Sequence, residues 1–248
     1  MNIEIKTINC QNISVYSNSK REGEFRVALI TLNFQGEDKA LIDRIIDSGQ
    51  RLAKQVNRAA ANMSSHSRTS ERIINNSVAG ILAEYCWKKF INTRANDNIV
   101  DFTEFNGASA QIDLKTVKSD KLIEVRSSFP RNGLEFAICH PVFEFDILGP
   151  YSNQVKPGEI QKDFYTRTLF HVPKGKTFME LLKEDNFKVY LTGGATWEMM
   201  IDNKVSINKH LLPEDSVGAS EQEESLYRVV PFSKAIDTIE IYELILNA

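Results

Sequence analysis

The residues best equipped for chemistry lie between Gln111 and Ser128. Taken as two strands turning around Lys118-Ser119, the simplest register sets Ile112 against Val125 and Leu114 against Ile123, so one face is apolar. The same register sets Asp113 opposite Glu124 on the other face, where Lys115 and Arg126 join them. Directly opposed residues have Cβ atoms roughly 4.5–5.5 Å apart. Two carboxylates that close repel unless a cation sits between them or one keeps its proton. A divalent cation is the economical solution. Mg²⁺ is held by one or two carboxylates and keeps the rest of its shell for water and phosphate oxygens. Neighbouring cationic side chains then orient a phosphate or the attacking water, so the chemistry indicated is metal-assisted phosphodiester hydrolysis.

Such a pair of strands needs a scaffold, and the rest of the chain predicts one. Ile3, Ile5 and Ile8, then the β-prone run Phe25–Leu32, predict an N-terminal hairpin around Asn18, Ser19 and Gly23. Leu41, Ile42, Ile45, Ile46, Leu52 and Val56 recur at helical spacing and predict a helix from Glu37 to about Asn62, broken by Asn62–Ser67. Thr69 followed by Arg72 caps a second helix, from about Ser70 to Ile91, with Ile74, Val78, Ile81, Leu82, Tyr85 and Phe90 on its apolar face. After Asn98 come short strands at Ile99–Phe105, Ala110–Thr116, Leu122–Ser127, Phe143–Leu148, Asp163–Val172, Val189–Leu191 and Leu226–Val230. Phe178–Glu184 reads as a short helix, and Gly193-Gly194 opens another over Ala195–Ile201. Pro213–Ser225 is an acidic surface loop, and Ile236–Leu246 fits a helix or a strand. With no repeat and no sharp change of composition, residues 1–248 read as one α/β domain with a core over about 70–201 and a helical N-terminal elaboration.

Composition narrows the class. Of 248 residues, 42% are hydrophobic and 25% charged, enough to build a core and too much for a disordered chain. Twelve Gly, seven Pro and three Cys exclude collagen-like and cysteine-scaffold proteins. No apolar run approaches the roughly 18 residues that span a bilayer, and Met1–Cys10 carries Glu4 and Lys6 instead of a signal core. The expectation is a cytoplasmic protein without a membrane partner, in which Cys10, Cys86 and Cys139 are reduced thiols. A net charge of −3 neither favours nor forbids a nucleic acid, because a basic cleft can sit on a mildly acidic protein. Without Walker A, GxGxxG or GxSxG strings, no nucleotide cofactor is expected. His66, His140, His171 and His210 show no paired spacing and read as non-ligands.

Asp113, ten intervening residues and Glu124-Val125-Arg126 together resemble the PD-(D/E)xK nuclease superfamily, which includes many type II restriction endonucleases. The Glu124–Ser128 string is similar to the Glu-Val-Lys-Ser-Ser form of that motif's second half. In the family a core helix often carries an extra Glu facing the site, and Glu84 stands in the otherwise apolar run Val78–Tyr85. The order helix, strand, strand with Asp, strand with Glu matches over about residues 70–130, and Asp163–Val172 more loosely.

The resemblance implies a restriction-endonuclease-like mixed sheet flanked by helices. It also implies a Mg²⁺-dependent endonuclease that hydrolyses double-stranded DNA, with a type II restriction enzyme as the specific expectation. Asp113 and Glu124 would hold the metal with Glu84, while Lys115 and Arg126 would address the scissile phosphate and the nucleophile. Because duplex sites are often palindromic, a homodimer is the default. Two residues depart from the pattern: Ile112 replaces the preferred Pro, and Arg126 replaces the Lys. Arg orients and stabilises but does not deprotonate, so Lys115, or Lys121 with less support from register, could supply the ammonium. The alternative kept open by Arg126 is a non-catalytic DNA-binding protein on a degenerate nuclease fold. Arg44, Arg51 and Arg58, with Lys54 beside them, form a basic stripe that fits a DNA backbone or a solvated helix face. Arg131 adds to the phosphate-facing charge, and Arg68, Asn132 and Asn153 are candidates for reading bases.

Overall fold

Runs of β-branched and apolar residues settle into one large sheet. The computed structural model describes residues 1–10, 23–55, 69–103, 113–140, 145–152, 159–211 and 225–248. The predicted hairpin forms from β1 (Asn2–Asn9) and β2 (Glu24–Leu32). It joins β3 (Val100–Phe102), β4 (Leu114–Thr116), β5 (Leu122–Ser128), β7 (Phe164–Leu169) and β8 (Phe187–Thr196) in a sheet ordered β1-β2-β8-β7-β5-β4-β3. The β5–β7 pair is parallel and the other neighbours are antiparallel. A second sheet, ordered β6-β10-β9, comes from β6 (Ile147–Ser152), β9 (Ile207–Leu211) and β10 (Ser225–Val230). The protein is thus α/β, with a large mixed sheet flanked by helices.

One face of the main sheet packs against α1 (Gly36–Gln55) and α2 (Ser70–Ala95). Leu82, Ala83, Cys86, Trp87 and Phe90 of α2 lie in one apolar cluster with Leu114, Ile123 and Val125. Thr69 caps α2 by accepting from the Arg72 N–H at 3.2 Å, and Trp87 Nε1 donates to Thr168 Oγ1 at 3.0 Å, pinning the helix over β7. The two helices approach closely at Gly49, where a Cβ would collide with Val78. The other face carries a second cluster, including Phe25, Tyr165, Leu169 and Phe232, beneath α3 (Leu134–Cys139) and the small sheet.

Several expectations are corrected. Gly193-Gly194 does not open a helix: both residues lie inside β8, and α5 is shorter than predicted (Trp197–Ile201). The register between β7 and β8 shifts between Thr166 and Thr168, and Gly193 takes φ 76° beside the Ile236 carbonyl, where a Cβ would clash. A strand bulge needing left-handed backbone thus uses the same residues as a helix-opening turn. The closing segment, open between helix and strand, is α6 (Thr238–Leu246), started by a capping box of Asp237 and Glu240. The predicted helix Phe178–Glu184 is only the short α4 (Phe178–Leu181), and β6 begins later than expected. Nothing in the pattern foretold α3 or β9.

The three thiols are not all reduced. Cys10 and Cys139 form a disulfide across 129 residues, and Cys86 is a buried free thiol. The bridge depends on the end of β1 meeting the end of α3, which cysteine spacing does not encode. Among the described residues no helix is long and apolar enough to cross a membrane.

Candidate functional site

Strand β5 presents two different faces. Ile123 and Val125 point into the apolar cluster beneath α2, while Glu124 and Arg126 lie on the opposite face. The ladder pairs Leu114 with Ile123 and Lys115 with Leu122, the register read from the sequence. Asp113 lies one residue before β4, and its Oδ2 accepts a hydrogen bond from the Val125 N–H at 2.7 Å. The Asp113 carboxyl therefore leans onto β5 beside Glu124. The expected partner of Val125, Ile112, lies outside the described residues.

Glu124 is buried at 6% exposure and is held by two cations. Arg126 Nη2 lies 2.6 Å from its Oε1, and Lys162 Nζ lies 2.9 Å from its Oε2. The ammonium approaches Oε2 off the direction of a hydrogen bond, so that oxygen has an ionic neighbour but no hydrogen-bond partner. Arg126 Nη2 also donates to both oxygens of Glu159, at 2.9 and 3.0 Å. Its guanidinium lies over the Tyr151 ring of β6, 5.5 Å from the centroid. Tyr227 of β10 stacks on Tyr151, and burial pushes its hydroxyl up to about 12.

Glu84 enters from α2. Burial raises its carboxyl well above the ordinary glutamate range, and the charges of Asp113 and Glu124 push it further. Burial, then the charge of Glu124, raises Asp113 to about 7 despite the opposing Val125 hydrogen bond and the Arg126 and Lys162 charges. A helix and two adjacent strands thus bring three carboxyl groups into mutual repulsion. Among the described residues, no three His, Cys, Asp or Glu side chains are gathered tightly enough to hold a metal as they stand.

The other predicted site residues lie apart or outside. Lys115 is half-exposed and pairs with Asp120 at 2.9 Å, on the side of the hairpin turn. Lys121 pairs with Asp163 at 3.0 Å, in a contact that also joins the Leu122 N–H to Asp163 and fastens β5 to the start of β7. Arg44 and Arg51 are exposed on α1, with Arg51 donating to Ser48 Oγ at 3.0 Å. Arg131 and Asn132 are exposed before α3. Arg58, Arg68, Asn153 and His66 lie outside the described residues, as does the side chain of His210. His140 is buried against Phe136, and His171 is exposed.

Sequence reasoning missed Lys162 and Glu159. Lys162 is 3% exposed, an unusual burial for a lysine, and its ammonium faces Glu124. It comes from the connection into β7, whose parallel register sets Ile123 beside Phe164 and Glu124 beside Tyr165. A charged residue just before a strand was visible in the sequence, but the pairing of that strand with β5 was not.

Comparison with known proteins adds a likeness of modest strength. The chain is 27% identical to a Methanocaldococcus jannaschii protein described as uncharacterized protein MJECS01, over 239 aligned residues covering 82% of this chain and 81% of that protein. No family profile matches the chain. No solved structure matches it either.

Proposed function

We propose that this protein is a Mg²⁺-dependent endonuclease that hydrolyses phosphodiester bonds of double-stranded DNA, on a fold of the PD-(D/E)xK, restriction-endonuclease-like kind. The observation that carries the reading is the crowding of buried acids beside β5: Asp113 accepts from the Val125 N–H next to Glu124, Lys162 lies against Glu124, and Glu84 of α2 feels the charge of both acids. All the candidate donors are hard oxygens, the kind Mg²⁺ prefers. Their mutual repulsion is the electrostatic condition a divalent cation relieves, and Glu124 Oε2 has no hydrogen bond to surrender. The residues fit the metal, provided that Arg126 and Lys162 yield part of their hold on Glu124.

Asp113 and Glu124 would hold the ion, with Glu84 contributing directly or through water. Bound there, Mg²⁺ supplies Lewis-acid polarisation of a phosphate oxygen and a lowered pKa for water. Lys162 takes the role first considered for Lys115 or Lys121: its ammonium, fixed on Glu124, orients the attacking water. Arg126 keeps its proton and offers charge to the phosphate. In the reaction, water oxygen bonds to phosphorus as the water gives up a proton to solvent, the bond from phosphorus to one ester oxygen breaks, and that oxygen takes up a proton from solvent and leaves as a hydroxyl. A homodimer with two such centres would suit palindromic duplex sites, as in type II restriction enzymes.

The second reading, a DNA-binding protein without catalysis, is favoured by one observation: Arg126 already fills the space between Glu124 and Glu159. Plasmid cleavage across a Mg²⁺ titration separates the two. Nicking or linearisation that rises with Mg²⁺ and disappears in Glu124→Gln supports the enzyme. DNA retention without cleavage of any substrate in a broad duplex panel supports the binder.

A further inference from the structure

Arg126 poses a problem for a carboxylate metal site. Its Nη2 is 2.6 Å from Glu124 Oε1, so a guanidinium competes directly for an oxygen that a metal needs. The same nitrogen is also drawn the other way. Glu159, with a side chain only 2% exposed, accepts from it through both carboxylate oxygens. A buried carboxylate is costly unless a charge partner offsets its desolvation, so this contact is a built feature and not a passing surface pair. Glu159 lies just before β7, outside the elements that carry Glu84, Asp113 and Glu124. Tyr151 lies against the guanidinium and limits where it can go.

We propose that Glu159 is a positioning residue that shares the Arg126 guanidinium with Glu124 and so keeps Glu124 available to a divalent cation. The inference rests on the metal-site reading above. Pulled from both sides, Arg126 holds Glu124 less tightly than it would alone. Without Glu159 the guanidinium falls to Glu124, and a cation must displace a stronger ion pair. Glu159 thereby acts through Arg126 and touches neither metal nor substrate.

The test is calorimetric titration of the full chain with Mg²⁺ alone, without DNA, in wild type, Glu159→Gln, Arg126→Gln and the double variant. Circular dichroism checks that each is folded. Glu159→Gln should weaken Mg²⁺ binding by about tenfold. In the Arg126→Gln background the same change should matter by less than about twofold, because nothing remains to be shared. If Arg126→Gln does not fold, Arg126→Met serves as the background, since a thioether carries no charge and no donor to share between the carboxylates. An equal loss in both backgrounds would mean that Glu159 acts only through its field, and the proposal would be wrong. Unchanged binding in Glu159→Gln would overturn it as well. Wild type that binds no Mg²⁺ would instead bring down the metal-site reading itself, a result distinct from either.

Discussion

Two clusters of charge built around buried carboxylates, Asp237 and Glu124, follow opposite principles. At Asp237 one carboxylate is fully used. It accepts from the Ile239 and Glu240 N–H groups as the cap of α6, and from Arg26 Nε and Nη2 at 2.5 and 3.1 Å. Every partner is a donor, and in return the carboxylate raises the Arg26 pKa. At Glu124 buried acids crowd one another as well as their cations. Glu124 meets Arg126 and Lys162, Glu159 meets Arg126, and Glu84 and Asp113 are driven upward by burial and by neighbouring acid charge. The first cluster has the charge balance of a structural joint. The second carries repulsion between buried acids that costs stability.

Substitution separates the two clusters most plainly. Asp113→Asn and Glu124→Gln should each lower Mg²⁺-dependent cleavage by on the order of 10³-fold, the several kcal/mol that metal-centred charge stabilisation supplies. Gel-shift measurements should show that DNA binding persists. In the same protein without metal, Asp113→Asn should raise the unfolding midpoint at pH 8, by on the order of 1 kcal/mol, because it removes a repelled charge while an amide oxygen can still accept from Val125. Either variant cutting near the wild-type rate would put the chemistry elsewhere.

Lys162→Met comes next, with an expected loss of roughly 10²–10⁴-fold in single-turnover rate, the range for a group that handles the proton or water of the nucleophile. Lys115→Met should stay within about threefold, since that side chain is already engaged by Asp120 on the exposed side of the hairpin. The reverse ranking would return the ammonium role to Lys115.

Asp237→Ala tests the structural cluster. Losing the helix cap and the Arg26 contacts together should cost about 2–4 kcal/mol in urea unfolding, with no specific effect on Mg²⁺ binding. The pH response carries a smaller signal of defined sign. Asp113 holds its proton up to about 7 in the folded chain, against an ordinary value of 3.8. Between those values the folded state binds more protons than the unfolded one, so this group makes stability fall as pH rises through the window. Mg²⁺ needs the deprotonated form, so its thermal stabilisation should be larger at pH 8 than at pH 5.5. Equal shifts in differential scanning fluorimetry would mean that Mg²⁺ binds away from these acids.

The weakest expected effect concerns α1. Replacing Arg44, Arg51 and Arg58 with Ala should flatten the plot of log DNA affinity against log salt by about 0.9 per lost phosphate contact. An unchanged slope would make the stripe an ordinary solvated helix face.

The main chemical feature was legible because it is local. Asp113 and Glu124 are joined by a short hairpin, and the alternation of Leu114, Ile123 and Val125 fixes which residues oppose which. Glu84 was legible for a related reason: a lone acid in an apolar helical run has nowhere neutral to go once that helix is packed. The Thr69 cap, the N-terminal hairpin and the approximate positions of α2, β5, β7 and β10 followed from the same short-range patterns. Gly193-Gly194 is ambiguous in sequence because a bulge and a helix-opening turn ask for the same residues.

Sequence by itself therefore determined the hairpin register, the face on which the carboxylates stand and the helix that brings the third one. Those depend on periods of 2 and 3.6 residues, which are written directly in the order of side chains. Tertiary structure alone decided which cations meet the carboxylates. Lys162 and Glu159 arrive because β7 lies parallel to β5, and the Cys10–Cys139 bridge closes because β1 ends beside α3. A parallel neighbour is reached by a long connection and leaves no turn signature in the chain. Which lysine stands against Glu124 is consequently a question of packing, which spacing alone does not answer.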